Sequence, residues 1–189
     1  VLFVLTVILI GGEGTVIGIL STYLADVRGF STLDANIGLV VFLVGIAAGR
    51  LLVGVLARPH RLFGLLLGLL ALSSVVMLLY FTVNLGLLIW PFTFIAGLSV
   101  SALLPLILAY AGLAFPHMPG TVMGAVKIAI PTGGIVMPLL LSAVTTTVSF
   151  GAALLLPPIG LFVGLLLLLW LSRTQPASAG QLYSSAASE

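Results

Sequence analysis

The sequence predicts an all-helical integral membrane protein with six transmembrane helices. Of its 189 residues, 61% are hydrophobic and only 5% are charged, and the mean hydropathy is +1.41. Soluble domains carry about 25% charged residues, so this chain lacks the polar side chains that a water-exposed surface needs. A helix crosses a hydrocarbon core of roughly 30 Å with about 20 apolar residues, and the sequence offers six stretches of about that length.

Charged residues, prolines and turn residues separate the apolar stretches. A membrane-spanning strand needs only about ten residues of alternating polarity, whereas these stretches are continuous and about twice as long, so helices are favoured. Residues 173–189 are rich in serine and alanine, which is typical of a disordered tail. We therefore predict one transmembrane domain over residues 1–172, with helices at about 1–25, 35–57, 62–82, 87–114, 121–144 and 151–171.

The composition argues against several other classes of protein. There is no cysteine, which removes disulfides, thiolate metal sites and cysteine nucleophiles. The net charge of +2 comes from only ten charged side chains, so it does not indicate a nucleic-acid-binding surface. The two histidines, His60 and His117, fall in predicted loops, and the serine in Gly97-Leu98-Ser99 has no base within a predicted helix. We expect no metal site, no cofactor and no enzymatic activity.

The arginines predict the orientation in the membrane. Lys and Arg accumulate in cytoplasmic loops. Arg58, Arg61 and Arg173 fall on one side if all six helices span, whereas the loop on the other side has one arginine between Asp26 and Asp34. We expect both termini in the cytoplasm and the protein in the cell (inner) membrane.

Glu13 is the residue that fits a membrane helix least well. It lies in the middle of "LTVILIGGEGTVIGILSTYL" (residues 5–24), and a carboxylate near a bilayer centre costs a few kcal/mol unless it is paired, hydrated or protonated. The functional interpretation is a site for substrate or proton, and the structural alternative is a protonated acid that joins two helices. Lys127 is a further candidate for such a site, and the alternative is that its ammonium group snorkels to the cytoplasmic interface. Five more residues could hydrogen-bond a sugar-like solute, with simple interhelical packing as the alternative for each: Tyr23, Asn36, Tyr110, Ser99 and Ser101.

The fifth predicted helix combines small, kink-forming and charged residues on one face. At 100° per residue, six residues project to the same side: Gly120, Gly124, Lys127, Pro131, Gly134 and Pro138. Prolines within spanning helices free backbone carbonyls, and such helices bend or line cavities. Glycine pairs at i, i+4 also predict close helix packing, at Gly14/Gly18, Gly45/Gly49, Gly64/Gly68, Gly120/Gly124 and Gly160/Gly164.

The stretch "GRLLVGVLARPHR" (residues 49–61) resembles the second helix and following loop of either half of a major facilitator superfamily transporter. Three further stretches are similar to the seventh, tenth and eleventh helices of that superfamily: "GGEGTVIGILSTYLADVRGFST", "PLILAYAGLAFPHMPGTVMGAV" and "PTGGIVMPLL". The best fit is to the C-terminal half, with some similarity to sugar-permease-like members. On the superfamily's loop motif, Gly54, Leu56 and Arg61 match, but Arg58 stands where an acidic residue belongs.

This resemblance implies two inverted three-helix repeats, and a second six-helix half in the same chain or in a dimer partner. We also predict gating or structural roles for Gly49, Arg50, Gly54, Arg58, Arg61, Pro131, Gly134 and Pro138. For Arg50 this role is either snorkelling to the cytoplasmic interface or a structural pair with a neighbouring helix end. We expect a secondary active transporter that moves a small polar solute across the lipid bilayer by alternating access, with or without proton coupling. The alternative is a non-transporting membrane scaffold or assembly subunit.

Overall fold

The computed structural model describes residues 1–58, 61–115 and 118–174, and within these residues the chain is helical with no strand. Six of its helical segments are long and apolar enough to cross a membrane, which confirms the predicted fold class. His60, His117 and nearly all of the predicted tail lie outside the described residues. The helices are α1 Leu2–Thr22, α2 Thr32–Leu56, α3 Leu62–Thr82, α4 Ile89–Val100, α5 Leu103–Ala114, α6 Pro119–Thr147, α7 Phe150–Ala153 and α8 Leu156–Thr174.

Local chemistry sets several helix ends. The α1 span continues as a π-helix over Tyr23–Val27, a rare conformation that often occurs at functional sites. The second helix begins at Thr32 rather than at residue 35, because the Ser31 hydroxyl accepts a hydrogen bond from the backbone N–H of Asp34 and caps it.

Prolines divide the fourth and sixth spans, which the sequence predicts to be continuous helices. The fourth span consists of α4 and α5, with the break at residues 101–102. Pro105 has no N–H to offer the carbonyl of Ser101 four residues before it, so the helical bond at this point cannot form. In the sixth span, Pro157 and Pro158 likewise cannot bond to the carbonyls of residues 153 and 154, and the short α7 ends there. Pro131 and Pro138, in contrast, lie within a continuous α6.

The spans pack in three layers. α1, α4 and α5 form the middle layer. On one side of it, α3 and α8 pack against each other, and α3 also packs against α4 and α8 against α1. On the opposite side of that middle layer, α2 packs mainly on α4 and α1, and α6 mainly on α1 and α5. We call α3 with α8 the back layer, and α2 with α6 the front layer.

Glycines allow the front layer to approach the middle layer at two crossings. A Cβ atom on Gly97 would collide with the carbonyl oxygen of Phe42, and one on Gly45 would collide with that of Phe94, so α2 and α4 meet backbone to backbone. At the second crossing Gly11 of α1 meets Gly133 of α6 in the same way. The glycine pairs were only partly predictive, because at six of their residues an added Cβ would have no atom within 4 Å: Gly14, Gly18, Gly64, Gly68, Gly120 and Gly124.

The packing of the first three spans recurs in the last three. α2 packs on α4 as α6 packs on α1, and α3 packs on α4 as α8 packs on α1. The spacing along the chain matches this recurrence: 87 residues separate Leu2 from Ile89 and Thr32 from Pro119, and 88 separate Leu62 from Phe150.

Candidate solute-binding face

The structure pairs the intramembrane glutamate with an arginine of the neighbouring helix. Nη2 of Arg50 lies 3.1 Å from Oε1 of Glu13, which forms an ion pair between α2 and α1. The Glu13 side chain is 11% exposed and that of Arg50 is 51% exposed. The pair is therefore buried at its acidic end and open at its basic end.

The same arginine binds the carbonyl that the break in the fourth span leaves free. Nε of Arg50 donates a hydrogen bond to the backbone oxygen of Ser101 at 3.3 Å, which compensates for the N–H that Pro105 lacks. This approach requires Gly49, because a Cβ there would collide with the Ser101 hydroxyl and lie 2.5 Å from the carbonyl oxygen of Leu98. Arg50 thus connects three of the six spans through one guanidinium group.

Arg50 shares its face of α2 with another candidate from the sequence. Asn36, Leu43 and Arg50 are spaced by seven residues, so they project to the same side of the helix, and all three are exposed. Gly54 projects to the same side, and a Cβ added there would have no atom within 4 Å. The outer face of α2 is therefore open and contains both polar and charged groups.

The outer face of α6 is also open. The six small, kink-forming and charged residues predicted to share one side of this helix are exposed or half-buried: Gly120, Gly124, Lys127, Pro131, Gly134 and Pro138. Within the described residues, the Lys127 side chain forms no hydrogen bond or ion pair. Pro131 and Pro138 offer no N–H to the carbonyls of residues 127 and 134, which lie one turn earlier on the same helix.

Tyr23 belongs to a separate, buried network. Its hydroxyl donates to the carbonyl of Tyr80 at 2.7 Å and accepts from Nε of Arg28 at 2.6 Å. Nη2 of Arg28 donates to the carbonyls of Tyr80 and Val83 at 3.0 and 2.5 Å, at the C-terminal end of α3. The Tyr80 hydroxyl is 2.9 Å from that of Thr93. Arg28 was not among the site residues predicted from the sequence. Its charge in a short loop, two residues after Asp26, could have marked it as a candidate.

The remaining candidates lie away from the front layer's outer faces. The Tyr110 ring packs 5.7 Å from that of Phe63 and lines a pocket of about 360 Å³ near the start of α1. Ser99 is fully buried, and its carbonyl accepts a hydrogen bond from Ser73 at 2.8 Å. Arg58 and Arg61 are exposed at the connection between α2 and α3, where the backbone N–H of Arg61 donates to the carbonyl of Arg58.

Comparison with protein families decides the class of this membrane protein. The family model of the Major Facilitator Superfamily matches residues 2–186, which is nearly the whole sequence. The chain belongs to the Major Facilitator Superfamily. Comparison with curated proteins gave no match, and neither did comparison with solved structures. Members of this superfamily are secondary transporters, so family membership favours transport over the scaffold alternative, and the predicted family and six-helix fold are confirmed.

Proposed function

We propose that this superfamily member is a secondary active transporter that moves a small polar solute by alternating access, and that the solute binds at the outer faces of the front layer. The observation that carries the proposal is the Glu13–Arg50 ion pair, in which the arginine side chain is half-exposed on that outer face. Charged groups within membrane spans face cavities or the bundle interior, because hydrocarbon solvates them poorly.

A second six-helix unit would complete the pathway. Asn36, Arg50 and Lys127 are exposed in this six-helix unit, and in a bilayer they need a polar environment rather than lipid. A second unit facing the front layer, in the same chain or as a second copy, would enclose these residues in a shared cavity. This arrangement is consistent with substrate sites near the midplane at repeat interfaces.

We also infer that the six spans consist of two inverted three-helix repeats. Successive spans alternate in direction, so the first and fourth spans run in opposite directions across the membrane. The recurring packing and the spacing of 87 or 88 residues support this inference. The repeat would place the two glycine crossings at equivalent positions, because Gly11 and Gly97 are 86 residues apart and Gly45 and Gly133 are 88 apart.

Proton coupling at Glu13 extends the proposal. Protonation of this carboxylate would remove its charge and release Arg50 from the ion pair. Because Arg50 also contacts the break in the fourth span, its release would change how α1, α2 and α4 are held together. A two-state transporter responds to such a change by shifting its conformational population.

The substitution Glu13→Gln tests both parts of this proposal in the intact protein reconstituted in vesicles. If Glu13 couples protons, uphill accumulation fails while downhill exchange partly survives, since glutamine keeps the size and hydrogen bonding but cannot exchange a proton. If Glu13 only binds solute, the apparent affinity falls in both regimes. Asp26→Asn is the matched control, because it makes the same kind of change to a carboxylate that lies near the end of the π-helix instead of in the Glu13–Arg50 pair. Unchanged accumulation and exchange at equal abundance would contradict both roles and leave Glu13 with a packing role.

Cysteine labelling tests the proposed orientation. The protein contains no cysteine, so single cysteines can be introduced without further changes. A cysteine at Arg61 should react with impermeant thiol reagents only from the cytoplasmic side, and one at Ser31 only from outside. Reaction of both from the same side would contradict the proposed topology.

A further inference from the structure

We propose that the solute carries an anionic group, a carboxylate or a phosphate, and that Arg50 and Lys127 bind this group on the front layer. The proposal rests on the transport function proposed above and adds the chemical class of the substrate. Three observations support it: the excess positive charge within the spans, the N–H groups of Arg50 that bind no protein group among the described residues, and the similar depth of the two cations.

The charges well inside the spans do not balance. Among the described residues, those that lie more than a turn from a span end are Glu13, Arg50 and Lys127, which leaves one excess positive charge. Glu13 compensates Arg50 in the structure, whereas Lys127 has no anionic partner within the same described ranges. An unpaired ammonium group within a membrane span is costly, and an anion in a shared cavity would compensate it.

Arg50 retains donors for a ligand. A guanidinium group has five N–H donors, and the structure uses Nε–H and one Nη2–H. Within the described residues Nη1 donates to no protein group, and about half of the side chain is exposed. Arginine binds carboxylate and phosphate oxygens through pairs of parallel hydrogen bonds, which a neutral hydroxyl cannot accept with the same strength.

The two cations lie at similar depth on the same side of the six-helix unit. Arg50 is six residues from the C-terminal end of α2, and Lys127 is eight residues from the N-terminal start of α6. At 1.5 Å per residue these positions are about 9 and 12 Å from the helix ends. Those ends lie at the same membrane surface if all spans cross. α1 packs against both helices, so its carboxylate at Glu13 is on the element between the two cations.

Glu13 and a bound anion would compete for Arg50. When Glu13 is charged, its carboxylate occupies the Nη2 side of the guanidinium group. When a proton from water binds to that carboxylate, the ion pair dissolves and the arginine becomes available to the solute anion. Protonation leaves both Arg50 and Lys127 without a charged carboxylate partner, so the three side chains carry a charge of +2. A monoanion bound in this state returns the net charge to its earlier value of +1, and a dianion neutralises it.

Binding measurements on the purified, full-length protein test this inference. The probes are matched pairs that differ in the anionic group: lactate and lactamide, succinate and succinamide, glycerol 3-phosphate and glycerol. Ligand-dependent thermal stabilisation and titration calorimetry report binding, and uptake of the same probes into vesicles reports transport. Preference within the carboxylate pairs or within the phosphate pair identifies which anion the site accepts.

The variants separate a ligand role from a structural role. Removing both charges with Glu13→Gln/Arg50→Gln avoids an unpaired carboxylate and should weaken anion binding by about tenfold or more, the loss expected for a charged hydrogen bond. Lys127→Gln should also weaken anion binding. Glu13→Gln alone should strengthen anion binding, because it removes the competitor. Arg173→Gln, at the end of the sixth span, is the control and should leave binding unchanged.

The outcomes distinguish this inference from the transport function. Equal binding of the neutral and anionic members of every pair, or transport of a neutral solute that is insensitive to Arg50 and Lys127, would overturn the anion site while leaving the transporter in place. Weaker anion binding in Glu13→Gln would also overturn it. If the protein binds and transports no probe and no neutral solute, the proposed function fails, and the anion site fails with it.

Discussion

The two outer surfaces of this six-helix unit differ in chemistry although both belong to spans of similar length. The back layer presents large apolar side chains among its most exposed residues, including Leu72, Val75, Phe162, Leu166 and Trp170. The front layer presents apolar side chains as well, but it adds Asn36, Arg50, Lys127 and a glycine- and proline-rich face of α6. The back layer is therefore suited to contact with lipid throughout, whereas the polar and charged groups of the front layer require a polar environment in a bilayer.

The largest expected effect is that of a charge placed on each surface. Leu72 of α3 is 46% exposed and Leu43 of α2 is 42% exposed, and both lie near the middle of their spans. Leu72→Lys should reduce membrane insertion and abundance strongly, because a lysine at the bilayer centre costs about 2.5–3.5 kcal/mol on insertion scales. Leu43→Lys should be tolerated better, because it joins the polar face of Asn36 and Arg50. Equal abundance of the two variants would remove the distinction between the surfaces.

A somewhat smaller effect should distinguish glycines that join layers from those that face outward. Gly97→Ala places a Cβ against the carbonyl oxygen of Phe42, where no flexible side chain can yield, whereas Gly68→Ala meets nothing within 4 Å. Overpacking of this kind costs about 1–3 kcal/mol, so Gly97→Ala should lower the Tm of the purified protein by several degrees. Gly68→Ala should leave the Tm unchanged or raise it, since alanine favours helices. An unchanged Tm in the Gly97→Ala variant would show that α2 and α4 separate easily.

Arg28 tests whether the front and back layers are coupled through the loop between α1 and α2. Arg28→Gln removes the charged donor that binds the carbonyls of Tyr80 and Val83 at the end of α3. Hydrogen bonds to charged groups contribute about 1.5–3 kcal/mol, and the partly exposed site should be at the lower end of this range. Thermal unfolding measures the loss, with Arg61→Gln as an exposed control. Equal Tm values for the two variants would exclude a stabilising role for Arg28.

Cysteine accessibility should sharpen the comparison with the least disturbance of the protein. Single cysteines at Ala47 and Pro131, on the front layer, should react with hydrophilic thiol reagents at least about tenfold faster than cysteines at Val75 and Phe162, because only thiolates in contact with water react rapidly. A bound solute should protect the front-layer positions. Comparable rates on both surfaces would contradict an aqueous path along the front layer.

The number of spans could be predicted from the sequence, because hydropathy is a local property of about 20 residues. The breaks in the fourth and sixth spans could not. Pro105 and the pair at 157–158 divide their spans, whereas Pro131 and Pro138 do not divide α6. A proline removes one hydrogen bond in every case, and whether the helix then breaks depends on what neighbouring helices offer. At Pro105 the neighbour is Arg50, from a helix some fifty residues earlier.

The candidate site, too, could be predicted from the sequence only in part. The sequence identified Glu13, Arg50 and Lys127 as the charged residues within the spans, because charge in an apolar stretch is visible without a structure. It did not show that the first two form a pair, since 37 residues separate them along the chain and the Gly45–Phe94, Gly97–Phe42 and Gly49–Ser101 contacts set how α2 lies against its neighbours. Tyr23 looked equivalent to Asn36 in the sequence, yet packing buries the tyrosine against α3 and leaves the asparagine exposed.

By itself, the sequence determined that this protein is a six-span membrane protein, because composition and apolar length fix which solvent a segment can enter. Its motifs also determined the superfamily, because they keep their order along the chain. Only the tertiary structure decided which faces of the helices are covered, which glycines meet backbone to backbone, and which acid meets which base. Those features depend on contacts between residues far apart in the chain, and their energies arise only when the layers have packed.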